Sequence, residues 1–176
     1  MSLKYFTEDI KLNSSSDRFI VKFKHLVVSH SLHMIFLIRL GQSIRKVPFI
    51  GSILRVFLEY FVRILYSSDI SCCATIGPGL MIVHGHDIVI GADVVIGKNC
   101  KIFNGVTFGN KDLSATSKGS QPTVGHNCVF CTGAKILGPL IVGDNVIVGA
   151  NAVLLNDCEP NSIYGGVPAK FIKVNK

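Results

Sequence analysis

The sequence lacks an apolar stretch long enough to cross a membrane, since no window reaches the roughly 18–20 apolar residues that a spanning helix needs. Charged side chains at Lys4, Glu8, Asp9 and Lys11 interrupt the first residues, so no signal peptide is predicted. We therefore expect a cytoplasmic protein, with the inner face of the membrane as the alternative location.

The cysteines lack the spacing of a zinc site. Six are present, but only Cys128 and Cys131 have C-x-x-C spacing, and neither a second pair nor suitably spaced histidines accompany them. The sequence therefore predicts no metal. It favours reduced cysteines that act as small core residues.

Basic residues are spread along the chain, whose formal net charge is +7, but they are denser in the N-terminal third. Either they attract an anionic surface or an anionic cofactor, or they are the solvated faces of helices. No nucleic-acid partner is predicted. The length of 176 residues and the hydrophobic content of 48% suffice for one compact domain with an extension.

The N-terminal residues predict helices. After a polar start, with a loop or helix start at residues 13–17, a helical pattern runs from Arg18 to Leu40. A second helix is predicted from Phe49 to Tyr66, where the only charges are Arg55, Glu59 and Arg63, on one stripe. The rest of that helix is nearly all apolar. It must therefore be buried in partner helices, in an oligomer contact or against a membrane surface.

Aliphatic residues recur every six positions in the remainder of the chain. Period six fits neither an amphipathic helix nor an ordinary strand. It fits a solenoid in which each hexad is a short strand plus a turn, and three hexads make one triangular coil. The two sets in strict register are Ile90, Ile96, Ile102 and Phe108, and then Val124, Phe130, Ile136, Val142, Val148 and Leu154.

The period is interrupted twice. Two residues are inserted around 84–87, and Phe108 and Val124 are separated by a polar excursion at residues 109–121. Rigid scaffolds carry functional residues on such irregular segments, so we expect the chemistry there. The predicted organisation is a helical region at 1–66, the solenoid at 67–172 and a tail at 173–176.

The period and the closing Gly166–Lys170 segment resemble the hexapeptide-repeat acyltransferases over residues 69–172. Asp69-Ile70, His84 and the Ala134–Gly138 segment are similar to the serine acetyltransferase branch of that superfamily. The resemblance implies a mainly β protein with a helical N-terminus, built as a left-handed parallel β-helix of hexapeptide repeats. It also implies an acetyltransferase that uses acetyl-CoA.

The resemblance implies His84 as the catalytic base and Asp69 as the carboxylate that orients it. Because they are fifteen residues apart, close to one coil of eighteen, we expect them on neighbouring rungs, about 5 Å apart. The carboxylate would fix the imidazole tautomer, and the other ring nitrogen would deprotonate an acceptor hydroxyl. That oxygen would attack the thioester directly, with backbone N–H groups stabilising the oxyanion.

For acetyl-CoA, the resemblance implies a groove between two subunits of a homotrimer. Gly109 would lie near the thioester, Thr132 and Ala150 beside the pantetheine arm, and Lys170 near phosphate. For Thr132 and Ala150 the alternative is that they are turn residues selected for their small size.

Two departures from the serine acetyltransferase pattern predict which acceptor receives the acetyl group. The serine acetyltransferases have Asp where this chain has Val83, and an Arg-His pair where it has Ser120-Gln121. Those charged groups hold the serine zwitterion, so their loss favours a sugar hydroxyl. The Asn104–Lys111 segment and the short basic N-terminus also resemble colanic acid type acetyltransferases of surface-polysaccharide biosynthesis. The alternative acceptor is serine, for cysteine biosynthesis.

Two other classes of function are alternatives to an acetyltransferase. Some proteins of this fold hydrate carbon dioxide with zinc held between subunits by three histidines. The spacing of His84, His86 and His126 does not match that pattern. A scaffold or interaction protein without catalytic activity is the remaining alternative, together with a peripheral membrane contact through the N-terminal helices.

Overall fold

The structure is a computed structural model, which describes residues 2–14, 18–112 and 114–175. Residues 15–17 of the predicted N-terminal loop and Leu113 of the excursion lie outside the described residues. The helices are α1 (Ser2–Asn13), α2 (Phe19–Val28), α3 (His30–Ile44) and α4 (Ile50–Tyr66). The strands are β1 (Asp69–Ile70), β2 (Thr75–Ile76), β3 (Met81–Val83), β4 (Val89–Ile90), β5 (Val95–Ile96), β6 (Lys101–Phe103), β7 (Thr107–Asn110), β8 (Thr123–Val124), β9 (Val129–Phe130), β10 (Lys135–Gly138), β11 (Ile141–Val142), β12 (Ile147–Val148), β13 (Val153–Leu154), β14 (Ser162–Gly165) and β15 (Lys170–Val174).

The strands form a three-sided parallel β-helix. Successive strands join three sheets in turn, with the orders β1-β4-β7-β10-β13, β11-β8-β5-β2 and β15-β14-β12-β9-β6-β3. All pairs are parallel except β14 with β15, which is antiparallel. The predicted solenoid of hexads is confirmed, because each coil contributes one short strand to each side.

The hexad residues fill the interior of the coils. The ten aliphatic and aromatic residues predicted to be in register are at most 2% exposed. Phe108 and Phe130 meet edge to face, with ring centroids 4.8 Å apart, in the middle of the stack. Burial of these side chains supplies the main stabilisation of a fold with so few residues per strand.

Strand pairing locates both interruptions of the period. An uninterrupted coil has eighteen residues, as from Val89 to its partner Thr107 and from Lys135 to its partner Val153. The first coil has twenty, because Asp69 pairs with Val89. The third has twenty-eight, because Thr107 pairs with Lys135. The insertions therefore leave the sheets intact and add length only at the corners.

One corner of the coils is built by a ladder of asparagines in the left-handed backbone region, at φ angles from 54° to 58°. Non-glycine residues rarely adopt this region, and Asn tolerates it best. Each side-chain amide donates to the next asparagine, at N···O distances of 3.3, 3.1 and 2.8 Å. The ladder consists of Asn99, Asn127, Asn145 and Asn161.

The helices close the open end of the β-helix. Arg39 of α3 is fully buried and forms an ion pair with Asp9 of α1, at 2.9 Å from Nε to Oδ2. Its guanidinium also donates to the carbonyls of Ile76 and Gly77, each at 2.7 Å. Asp9 in turn accepts from the Leu80 backbone N–H at 2.8 Å. Polar side chains thus satisfy backbone groups of the first coil, which would otherwise form an unpaired edge.

The N-terminal region differs from its prediction in two places. The segment predicted as one helical pattern is divided at Ser29, whose hydroxyl accepts from the Leu32 N–H at 3.3 Å and caps α3. The polar first residues form α1, which composition did not indicate.

In the described part of the chain, no helix is both long and apolar enough to span a bilayer. At the other end, β15 extends across the predicted boundary at residue 172.

Candidate active site

His84 lies at the corner where the chain passes from β3 to β4. Its backbone has a φ of 55°, in the left-handed region, and its side chain is exposed. A tight turn follows, because the His86 N–H donates to the His84 carbonyl at 2.7 Å. Asn, Asp and His adopt this region more readily than other non-glycine residues, and the corner of His84 therefore resembles the asparagine corners of the later coils.

Gly85 packs the same corner against α3. A Cβ atom at Gly85 would lie 2.8 Å from Met34 Cε and 3.5 Å from Ser31 Oγ. A larger residue would therefore push the corner away from the helical region. The first turn of α3, which the sequence did not associate with the site, lies beside His84 for this reason.

The register of Asp69 differs from the prediction. We expected Asp69 and His84 on neighbouring rungs, about one coil apart, but the rung partner of Asp69 is Val89, five residues beyond His84. Asp69 forms an ion pair with Arg63 of α4, at 2.6 Å, and both side chains are more than half exposed. The hydrogen bond from Arg63 to Asp69 raises the pKa of the guanidinium. No hydrogen bond joins Asp69 to His84 among the described residues.

The residues assigned to the pantetheine arm lie along the same corner as His84. The Gly105 N–H donates to the His86 carbonyl. In the same way, the backbone N–H of Gly133 donates to the Asn104 carbonyl, and that of Asn151 to the Thr132 carbonyl. These bonds stack the corner residues of successive coils, so that the column runs through His86, Asn104, Thr132 and Ala150. Thr132 and Ala150 are exposed, and Thr132 Oγ1 lies 3.2 Å from Asn104 Oδ1.

Lys170 and Gly109 flank this corner column. Lys170 is exposed at the start of β15 and pairs with Gly165, near the end of the last coil. Gly109 belongs to β7, on the sheet that begins at the corner, and only Thr107 would contact a Cβ placed there. The structure therefore groups His84, Thr132, Ala150 and Lys170 along one edge, with Gly109 on the adjoining sheet.

The excursion at 109–121 is attached to the coils by its own side chains. Asn110 Nδ2 donates to the Ala115 carbonyl at 2.8 Å, and Asp93 accepts from the Gly119 N–H. Gln121 Oε1 accepts from the Asp93 N–H at 2.8 Å. Gln121, which replaces a charged residue of the serine acetyltransferases, is therefore engaged with the scaffold.

His126, Cys72 and Cys158 do not belong to this corner column. His126 is exposed at a different corner, where Nδ1 accepts from the Lys98 N–H. Within the described ranges, no group of three or more His, Cys, Asp or Glu residues could hold a metal ion. All six cysteines are free, and burial raises the pKa of the Cys72 and Cys158 thiols to about 12. These two thiols are poor nucleophiles at neutral pH.

A parallel β-helix of hexads with an exposed histidine at a coil corner matches the class of hexapeptide-repeat acyltransferases. Sequence comparison with two relatives identifies a narrower family within this class. The chain is 36% identical to the serine acetyltransferase of Helicobacter pylori (strain J99) over 152 residues, which cover 86% of each protein. It is 32% identical to the serine acetyltransferase of Bacillus pumilus over 179 residues, covering 99% of this chain and 79% of that enzyme.

Solved structures of serine acetyltransferases also superimpose on this chain. A crystal structure of Neisseria gonorrhoeae serine acetyltransferase superimposes with a TM-score of 0.87 at 27% identity, covering 99% of this chain and 67% of that one. A serine acetyltransferase in complex with CoA gives a TM-score of 0.83 at 27% identity, covering 97% and 69%. No family model matches the chain.

The chain belongs to the serine acetyltransferase family. The predicted left-handed β-helix is thereby confirmed, as is the prediction of an acetyl-CoA-dependent O-acetyltransferase. The finer resemblance to colanic acid type enzymes is not supported, since the relatives and structures compared are serine acetyltransferases.

Proposed function

We propose that this protein transfers the acetyl group of acetyl-CoA to the hydroxyl of serine, with His84 as the general base. The observation that carries the proposal is the exposed His84 at the head of a corner column that includes Thr132 and Ala150. Similarity to serine acetyltransferases over most of the chain supports serine as the acceptor.

The chemistry needs one base that acts twice. A ring nitrogen of His84 removes the proton of the acceptor hydroxyl as its oxygen attacks the thioester carbonyl carbon. The C–S bond then breaks, and the imidazolium returns the proton to the departing CoA thiolate. The products are the O-acetyl ester and CoA, and no group of the protein becomes acetylated.

Asp69 is proposed as a positioning residue for His84. Its ion pair with Arg63 is exposed, and exposed pairs contribute only about 0–1 kcal/mol. The carboxylate can therefore exchange this partner for the imidazole at little cost when substrates occupy the site. A carboxylate on one ring nitrogen would keep the other in the basic form.

Acetyl-CoA is proposed to lie along the corner column. Its thioester would face Gly109 and His84, with Thr132 and Ala150 beside the arm. Lys170 is exposed at the far end, where a cation would meet phosphate. A homotrimer, in which a neighbouring subunit covers this edge, stays a prediction of the family resemblance.

A sugar hydroxyl is a second candidate acceptor, and three residues favour it. Val83 lies in β3 directly before His84 and is apolar, where the serine acetyltransferases carry Asp. Ser120 and Gln121 replace their Arg-His pair, and the Gln121 oxygen is already engaged with Asp93. A zwitterion left without charged partners in a closed site binds poorly.

Acceptor competition distinguishes the two candidates. Release of CoA is measured with L-serine, with L-threonine, and with sugars that carry free hydroxyls, at one acetyl-CoA concentration. We expect the highest kcat/KM for L-serine. A sugar that is turned over more efficiently than L-serine would overturn the serine proposal in favour of the second candidate. The same acceptors are compared in the Val83→Asp variant, which carries the Asp of the serine acetyltransferases at this position and keeps His84.

A further inference from the structure

Arg63 and Asp69 form an exposed ion pair at the first rung of the sheet that begins at the His84 corner. The distance from Arg63 Nη2 to Asp69 Oδ1 is 2.6 Å, and the two side chains are 60% and 57% exposed. Asp69 opens β1, which pairs with β4, the strand that follows the corner. The Asp87 N–H of the corner donates to the Ser67 carbonyl at 3.1 Å. The guanidinium therefore lies at the end of the sheet where His84 lies.

A serine acceptor brings a carboxylate to this end of the sheet. The hydroxyl and the carboxylate of serine are carried by adjacent carbon atoms. Because Asp69 is proposed to orient His84, a hydroxyl bound to that imidazole leaves the carboxylate one side chain away from Arg63. A carboxylate that enters a closed site without a cation loses its hydration uncompensated. The planar guanidinium fork matches a carboxylate with two parallel hydrogen bonds.

The other cations of this sheet and of the excursion are placed less suitably. Lys135 Nζ donates to a backbone carbonyl at 2.6 Å and to Thr107 Oγ1 at 3.1 Å. Lys111 and Lys118 belong to the excursion, which leaves the sheet at the end of β7 that is remote from the corner. Among these described cations, Arg63 is the one that offers an exposed side chain at the corner end.

We infer that Arg63 binds the carboxylate of the acceptor and determines specificity for serine, an inference that rests on the proposed function. Arg63 exchanges the Asp69 carboxylate for that of the substrate, and Asp69 then accepts a hydrogen bond from the His84 imidazole. One guanidinium–carboxylate pair exists before and after the exchange, so the charges stay balanced. An exposed ion pair is weak, so its exchange costs little.

This assignment supplies a charge that the excursion lacks. The serine acetyltransferases have an Arg-His pair where this chain has Ser120-Gln121, and here a guanidinium approaches from α4 instead. A sugar hydroxyl carries no carboxylate, so Arg63 stays on Asp69 and the imidazole lacks its orienting partner. The substrate carboxylate thus acts on kcat as well as on KM, because it assembles the base that performs the reaction.

A pair of acceptors tests the role of Arg63. Release of CoA is measured with L-serine and with its neutral carboxamide analogue L-serinamide, in the parent and in Arg63→Ala. The parent should favour L-serine in kcat/KM by about 10–100-fold, as expected for a charge-assisted bidentate contact. Arg63→Ala should lower kcat/KM for L-serine by a similar factor. Its kcat/KM for L-serinamide should not fall, because Asp69 is then free to bind His84.

Three controls separate specificity from structure. Arg63→Lys keeps the charge without the fork, so it should retain part of the preference for L-serine. Lys98→Ala removes an exposed cation at the His126 corner and should behave as the parent does. The Kd for CoA, measured by titration calorimetry without an acceptor, should be the same in the parent and in the three variants.

Two results would overturn the inference while the proposed function stands. One is that Arg63→Ala keeps the parent's ratio of kcat/KM for L-serine to that for L-serinamide. The other is that Arg63→Ala loses activity equally with both acceptors, which would make Arg63 a structural residue. No release of CoA by the parent with L-serine would contradict the proposed function itself, and the inference with it.

Discussion

Replacement of His84 by alanine should lower kcat for acetyl transfer by about 10²–10⁴-fold, the range for loss of a general base. The free energy of unfolding should change little, because the imidazole is exposed and no side-chain hydrogen bond holds it within the described structure. CoA release from acetyl-CoA in the presence of L-serine measures the first quantity, and thermal unfolding by circular dichroism measures the second.

The control for this substitution is His126→Ala. His126 is also exposed, but it lies at a different corner, outside the column proposed to hold acetyl-CoA. It should retain the activity of the parent. Equal losses in both variants would mean that the loss at His84 is not specific to the base, and an active His84→Ala would remove the base from the mechanism.

Replacement of Arg39 by alanine should lower the free energy of unfolding by about 3–5 kcal/mol, as expected when one partner of a buried ion pair is removed. Asp9 would remain as a buried charge, and the carbonyls of Ile76 and Gly77 would lose their donors. Urea unfolding monitored by circular dichroism measures the change.

Arg63→Ala is the matched control, because its ion pair with Asp69 is exposed and should contribute about 0–1 kcal/mol. The double variant Asp9→Leu/Arg39→Met should be less destabilised than Arg39→Ala, since it buries no unpaired charge. Similar stabilities for Arg39→Ala and Arg63→Ala would show that the helices do not close the β-helix through this pair.

The β-helix could be predicted because a solenoid repeats its packing in the sequence. Each hexad buries its register residue in the core, so Ile96 and Val142 carry the same information about the fold as Ile90. The helical end has no such repeat. Nothing in the sequence pattern marks Arg39 as buried, and only its distant partners Asp9 and Ile76 show that it is.

The site was predictable in part. The interruption of the period placed His84 at a corner, and the corner column groups it with Thr132 and Ala150. The pairing of Asp69 was predicted wrongly, because fifteen residues fall short of a coil and the two inserted residues lengthen the first coil to twenty, which makes Val89 the partner of Asp69. Arg63 contacts Asp69 from a separate helix, a contact that sequence spacing does not reveal.

Intact-mass measurement of the protein and its products tests direct transfer at His84 most directly. The parent is incubated with acetyl-CoA alone and then with L-serine added. We predict no acetylated protein before serine is added, and equimolar O-acetylserine and CoA afterwards. An acetyl group attached to the protein, or no CoA release after serine is added, would contradict direct transfer to a serine hydroxyl.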